Sequence, residues 1–253
     1  MGKQKKTTKT TASIEERATI FCRIFNAILE SNTVNRMGLL ALGYVEGSDQ
    51  TNAFSAAEHC ESDGEHMISF VWATWLMGAL FKDELPGFKP GKIKYIGSLH
   101  DIAEAQIGGD IPDDGNSRCL DKDEKELRAF KMLLKHLPKK SRKKAVKAFK
   151  EFQKKDSYAY VIDKMLFPMV QLWRIKKGWP AGDMKRKERF GIMTGTDAEF
   201  IEALGSYDPA IVTTAHALTI TKGKPGFEVA SAILKAQFAE AGKEIPDKLM
   251  SYF

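Results

Sequence analysis

The chain has few cysteines, no membrane-spanning run and no sign of strand pairing. Its 253 residues contain three cysteines, Cys22, Cys60 and Cys119. They are odd in number, far apart and never in C-x-x-C spacing, which argues against a disulfide framework and a cysteine-rich metal site. No apolar run reaches the roughly 18 uncharged residues that would span a bilayer. The longest, 67–81, is too short and is interrupted by Trp, Thr and Gly. The N-terminus is rich in Lys and Thr and lacks the apolar core of a secretory signal, so a cytoplasmic setting with reduced thiols is expected. Alternating apolar runs joined by hairpin turns are missing, and no internal repeat is visible.

What is present is helical periodicity. From Ile14, apolar residues recur at Ile20, Phe21, Ile24, Phe25 and Ile28, with Ser13 as N-cap and Glu15 and Glu16 in the first turn. Further helices are expected over 67–81, 93–106, 121–137, 141–153, 157–176, 197–204, 207–221 and 227–241, with breaks at prolines and glycines. The class is therefore all-α. Residues 1–12 read as a disordered basic tail.

The net charge of +6 is unevenly spread. Residues 3–9, 139–155 and 174–189 are basic blocks. Such blocks are usually solvated helix faces, but they also steer anionic ligands. A nucleic-acid partner is the second reading of these helices.

One stretch resists a packing explanation. Residues 98–112, SLHDIAEAQIGGDIP, set His100 beside Asp101, Glu104 one helical turn later, and Asp110 after a Gly-Gly break. Imidazole and carboxylate together suit a divalent Mn, Fe, Co, Ni or Zn ion. His66 opens an apolar helix, and a packed helix fixes a ligand better than a loop does. His66 is therefore preferred over His59, which reads as a loop residue. Asp163 lies in an otherwise apolar helix among Val161, Ile162 and Leu166. Adjacent residues point about 100° apart on a helix, so His100 and Asp101 can share one ion only in a cleft between helices. Taken singly, Glu104 could be a solvated acid, Asp110 a turn residue and Arg36 an ordinary ion-pair partner. His136 and His216 read as structural or exposed. Trp72, Trp75, Trp173 and Trp179 sit in apolar stretches and read as core.

The order His, His-Asp, distant Asp resembles the HD-domain metal-dependent phosphohydrolases, and within them the small nucleotidases acting on deoxynucleoside monophosphates. The resemblance rests on Glu61–His66, Leu99–Glu104, Gly109–Pro112, Ile162–Lys164 and Asn35–Met37, and runs from about Ile14 to Trp173. It implies an HD-type helical bundle over residues 13–177, with residues 178–253 as a C-terminal helical extension. It also implies His66, His100, Asp101 and Asp163 as metal ligands and Glu104 handling the attacking water or its proton. Asp110 would contact the sugar or orient the nucleophile, and Arg36 would hold the phosphate. These roles agree with general chemistry. A divalent ion lowers the pKa of coordinated water toward ~7, a carboxylate can move a proton, and a guanidinium fork matches phosphate oxygens.

The expected activity is a metal-dependent 5′-nucleotidase acting on (deoxy)nucleoside monophosphates. The alternatives are a (deoxy)nucleoside triphosphohydrolase of the same fold, or a basic nucleic-acid-binding protein with a degenerate metal site. The expected partners are a nucleotide substrate and a second copy of the chain, with no membrane.

Overall fold

The computed structural model describes residues 12–32, 63–103, 122–177, 202–206 and 208–253. Among the described residues the regular structure is all helical, as the periodicity requires. The order is α1 (Ile14–Asn32), α2 (Asp63–Leu80), α3 (Pro90–Gly97), α4 (Lys122–Leu133), α5 (Lys139–Phe152), α6 (Tyr158–Lys176), α7 (Pro209–Thr221), α8 (Phe227–Glu240) and a short α9 (Asp247–Met250). Among the described residues no helix is long and apolar enough to cross a membrane.

Local chemistry sets several of these boundaries. At the start of α1, the Ser13 N–H donates to Glu16 Oε2 at 2.8 Å, and the Glu16 N–H donates to Ser13 Oγ at 3.2 Å. This reciprocal capping box satisfies two otherwise orphaned donors. Ser157 caps α6 by accepting from the Tyr160 N–H, and Asp208 caps α7 by accepting from the Ala210 N–H. Pro209 takes the first position of α7, where its missing N–H is no loss.

Helix α6 is the axis of the fold. It is buried on nearly every side, from Ala159 to Trp173. Helices α2 and α3 pack on it from one direction, α7 and α8 from another. Phe21 and Phe25 of α1, Phe70, Leu76 and Met77 of α2, Ile162, Met165 and Met169 of α6, and Ile233 and Leu234 of α8 share one hydrophobic cluster. The C-terminal helices are thus built into the same core as the helices that precede them. A buried polar link runs through this core as well, where Gln237 Nε2–H donates to Asn26 Oδ1 at 2.7 Å. Helices α4 and α5 pair in a second cluster around the stacked rings of Phe130 and Phe149, 4.4 Å apart.

Two expectations are corrected. The helix expected over 93–106 ends at Gly97. To continue, the carbonyls of Tyr95 and Gly97 would have to accept the N–H groups of Leu99 and Asp101. Instead, Ser98 Oγ–H donates to the Tyr95 carbonyl at 3.0 Å, and His100 Nδ1–H donates to the Gly97 carbonyl at 2.7 Å. The Leu99 N–H turns to the Ile96 carbonyl at 3.0 Å, which tightens the last turn and ends the helix. Trp72 and Trp75, read as core, are 43% and 49% exposed and pack edge-to-face on each other. The run 67–81 is apolar on all faces, so periodicity could not tell which face turns inward. Phe70, Ala73, Leu76 and Met77 do so. Trp173 is buried as expected, His136 is exposed and His216 is half-buried. Cys22 is a free, buried thiol.

Because α8 completes the core around α6, shortening it should weaken the whole molecule. Ile233→Ala is expected to cost about 2–5 kcal/mol. For a chain of this size, each kcal/mol lowers Tm by about 2–4 °C. Thermal unfolding followed by circular dichroism checks this. A melting curve unchanged by the substitution would mean that α8 is not part of one cooperative core.

Candidate metal centre

Four of the expected site residues come together although they are far apart in sequence. His66 lies in the first turn of α2, Asp163 in the second turn of α6, and His100 and Asp101 in the turn that follows α3. One ligand atom from each lies within 4.8 Å of the others. Asp163 Oδ1 is the meeting point, 2.9 Å from both His66 Nε2 and His100 Nε2. Asp101 Oδ2 stands 2.9 Å from His100 Nε2 and 3.9 Å from His66 Nε2. His100 and Asp101 therefore converge from an irregular turn and not from adjacent positions of a helix.

The support around His100 is tight. Its ring lies between Phe70 and Phe152, with centroid distances of 5.4 and 4.6 Å, and its side chain is 1% exposed. A carbonyl oxygen can only accept, so the 2.7 Å contact with Gly97 requires the proton on Nδ1. That aims Nε2 into the cluster, where it can coordinate an ion once its own proton has left, as outer-shell hydrogen bonds commonly do for metal-binding imidazoles. Gly97 itself is pressed against Phe70. A Cβ there would stand 2.0 Å from the Phe70 ring carbon Cδ1. Only glycine lets the chain pass this ring and deliver His100.

Asp163 is 7% exposed and has its second oxygen, Oδ2, held 2.9 Å from Lys164 Nζ. Burial pushes its carboxyl up, but Lys164, His100 and His66 outweigh this and hold it well below the usual carboxylate range. Burial alone would lower the His100 pKa. The hydrogen bonds and charges of Asp101 and Asp163 reverse that and raise it to about 9. Burial likewise works against a charged Lys164, and Asp163 raises it above the ordinary lysine range. Asp163 is therefore ionised at neutral pH.

This donor set fits a single divalent ion. With bonds of ~2.0–2.2 Å, neighbouring donor atoms around one ion stand ~3.0–3.5 Å apart. Four of the six donor pairs stand 2.9–3.9 Å apart, which brackets that spacing, and all six lie within 4.8 Å. Two imidazoles and two carboxylates suit Mn, Fe, Co, Ni or Zn.

Arg36, Glu104 and Asp110, expected as phosphate grip, proton carrier and sugar contact, lie outside the described residues, as does His59. Reading the sequence missed the supporting cast of Gly97, Phe70 and Phe152, none of which carries a local signal. The Lys164 side chain on Asp163 was also unforeseen, because adjacent helix residues point apart and only a long side chain can turn back.

Two outcomes follow from this geometry. Gly97→Ala is expected to cost about 1–3 kcal/mol by overpacking and to weaken divalent-ion binding by displacing His100, read by thermal unfolding and by competition with a chromogenic chelator. The second concerns pH. With a folded pKa of about 9 against 6.5 unfolded, protonated His100 contributes stability below pH 6.5, and this is lost as pH rises through about 9. An ion must displace that proton. Its affinity is therefore expected to rise with pH up to about 9 and then level off, with proton release at pH 7 detectable by calorimetry in two buffers of different ionisation enthalpy.

Comparison with known proteins agrees with this chemistry. A family model described as HD domain matches residues 50–204, which is more than half of the chain and includes all four clustered residues. No curated protein and no solved structure matches the chain. The His-Asp doublet, its convergence with His66 and Asp163 in an all-α frame and this match together show that the chain belongs to the HD-domain family.

Proposed function

We propose that the protein is a metal-dependent phosphohydrolase that removes phosphate from nucleoside 5′-monophosphates. The observation that carries the reading is the convergence of His66, His100, Asp101 and Asp163 within 4.8 Å in an HD domain, a family associated with metal-dependent phosphohydrolysis. These four residues would hold a divalent ion. When bound, such an ion supplies Lewis acidity to water and to a phosphoryl oxygen.

The protein's own groups complete the scheme. Lys164 occupies Asp163 Oδ2 and so keeps Oδ1 turned toward the two imidazoles. The Gly97 carbonyl and the two flanking phenyl rings keep His100 in one tautomer and one orientation. By resemblance to the HD nucleotidases, Arg36 grips the phosphate and Asp110 meets the sugar or orients water. Glu104 takes a proton from the attacking water and returns it to the 5′-oxygen. A P–O bond forms to water oxygen, the P–O5′ ester bond breaks, and the products are nucleoside and orthophosphate.

The test is a phosphate-release panel of ribo- and deoxynucleoside mono- and triphosphates with Mn, Co, Mg or a chelator. Metal-dependent orthophosphate release from monophosphates is the expected result. Tripolyphosphate or pyrophosphate as product would assign the site to triphosphates, and no turnover with any metal would overturn the hydrolase reading. Asp163→Asn keeps the shape of the side chain but removes its charge. It is expected to reduce kcat/KM by more than the ~10–100-fold typical of outer-shell substitutions.

A further inference from the structure

Away from the metal cluster, positive charge among the described residues is most concentrated on α5. Its sequence, KKSRKKAVKAFKEF, carries seven cations and one acid. One face is committed to the core through Ala145, Ala148 and Phe149. The opposite face is one wall of an open groove of about 1030 Å³. Lys131 of α4 lines it, together with Arg142, Lys143, Lys147, Lys150 and Lys154. Val146 is its apolar lining residue, and Glu151, one of its two acids, is ion-paired with Lys92 of α3.

The arrangement is more regular than solubility requires. Lys143, Lys147 and Lys150 follow at i, i+4 and i+7, a single row along the helix, and Lys154 lies two residues beyond its end. At ~1.5 Å rise per residue the helical row is about 10 Å long. Like charges three and four residues apart oppose helix formation. Each is exposed, so the cost is not recovered by burial. An anionic partner laid along the row would recover it. One strand of a duplex presents a phosphate every ~3.4 Å along its axis, so the helical row matches about three phosphates, with Lys131, Arg142 and Lys154 as further cations lining the groove.

We propose that this groove binds the phosphate backbone of a double-stranded nucleic acid irrespective of base sequence. Among the described residues no aromatic side chain lines the groove for stacking on unpaired bases, and no Asn or Gln is there to read base edges. A bilayer surface is disfavoured because the site is concave and lacks the large apolar side chains that enter a membrane interface. The groove is separate from the metal ligands, so the inference does not depend on the nucleotidase reading.

The experiment uses the full chain and a labelled duplex of about 20 base pairs, with binding read by fluorescence anisotropy across about 50–200 mM salt. Five lysine or arginine contacts at ~0.9 per phosphate predict a slope of log Kobs on log salt of about −4 to −5. Unrelated duplex sequences should compete equally. In Lys143→Glu/Lys147→Glu/Lys150→Glu, affinity should fall at least tenfold and the slope should become shallower by about 3. Metal-dependent phosphate release should be unchanged in that variant, which separates this site from the catalytic one. If the triple reversal lowers Tm, the pair Lys147→Gln/Lys150→Gln decides, with the slope shallower by about 2. Absence of binding at 50 mM salt, binding unaffected by these substitutions, strong preference for one sequence, or binding to phosphatidylserine vesicles but not to duplex would each overturn the proposal.

Discussion

A buried carboxylate is the constraint around which this molecule is built. Asp163 sits in α6, a deeply buried helix, where an unpaired charge would be prohibitively costly. It is tolerated because its two oxygens face three cationic or cation-capable groups, His66, His100 and Lys164, each 2.9 Å away. Removing any one leaves part of the charge uncompensated. Helices α2 and α6 and the turn after α3 must therefore meet at one point, and the hydrophobic packing has to permit that meeting.

The core does so through a few exact fits. Gly97 lets the end of α3 pass against Phe70, and the freed Gly97 carbonyl then accepts from His100. Phe152, at the end of α5, closes the other side of the imidazole. The α4–α5 pair thus touches the metal cluster by one ring while its outer face carries the basic groove. On the far side of α6, α7 and α8 supply the apolar surface that holds the axis in place. The ligands are rigid because the elements bearing them are, which is the usual requirement for a preorganised site.

The chemistry of the cluster points in one direction. Two carboxylates and two imidazoles gathered at one point form a receptor for a divalent cation, and membership of the HD-domain family gives that receptor a phosphohydrolase context. The groove on α5 has a different character. It is open, rich in lysine and regular in spacing, suited to an extended polyanion more than to a small ligand.

The sequence by itself determined the helical class, most helix limits and the identity of the four clustered residues. These are written in local patterns: apolar spacing of three and four, a cap at Ser13, and a His-Asp pair that packing does not explain. Tertiary structure alone decided that α3 stops at Gly97, that Trp72 and Trp75 face outward, and that Lys164 turns onto Asp163. Each of these depends on what lies opposite: Phe70 against Gly97, the α6 side of an all-round apolar helix, a second carboxylate oxygen left free by two imidazoles. Such partners are distant along the chain, so local periodicity carries no trace of them. The four clustered residues could be read from the sequence because chemistry restricts residue type, whereas the shell that aims them is set by shape, which only the folded chain expresses.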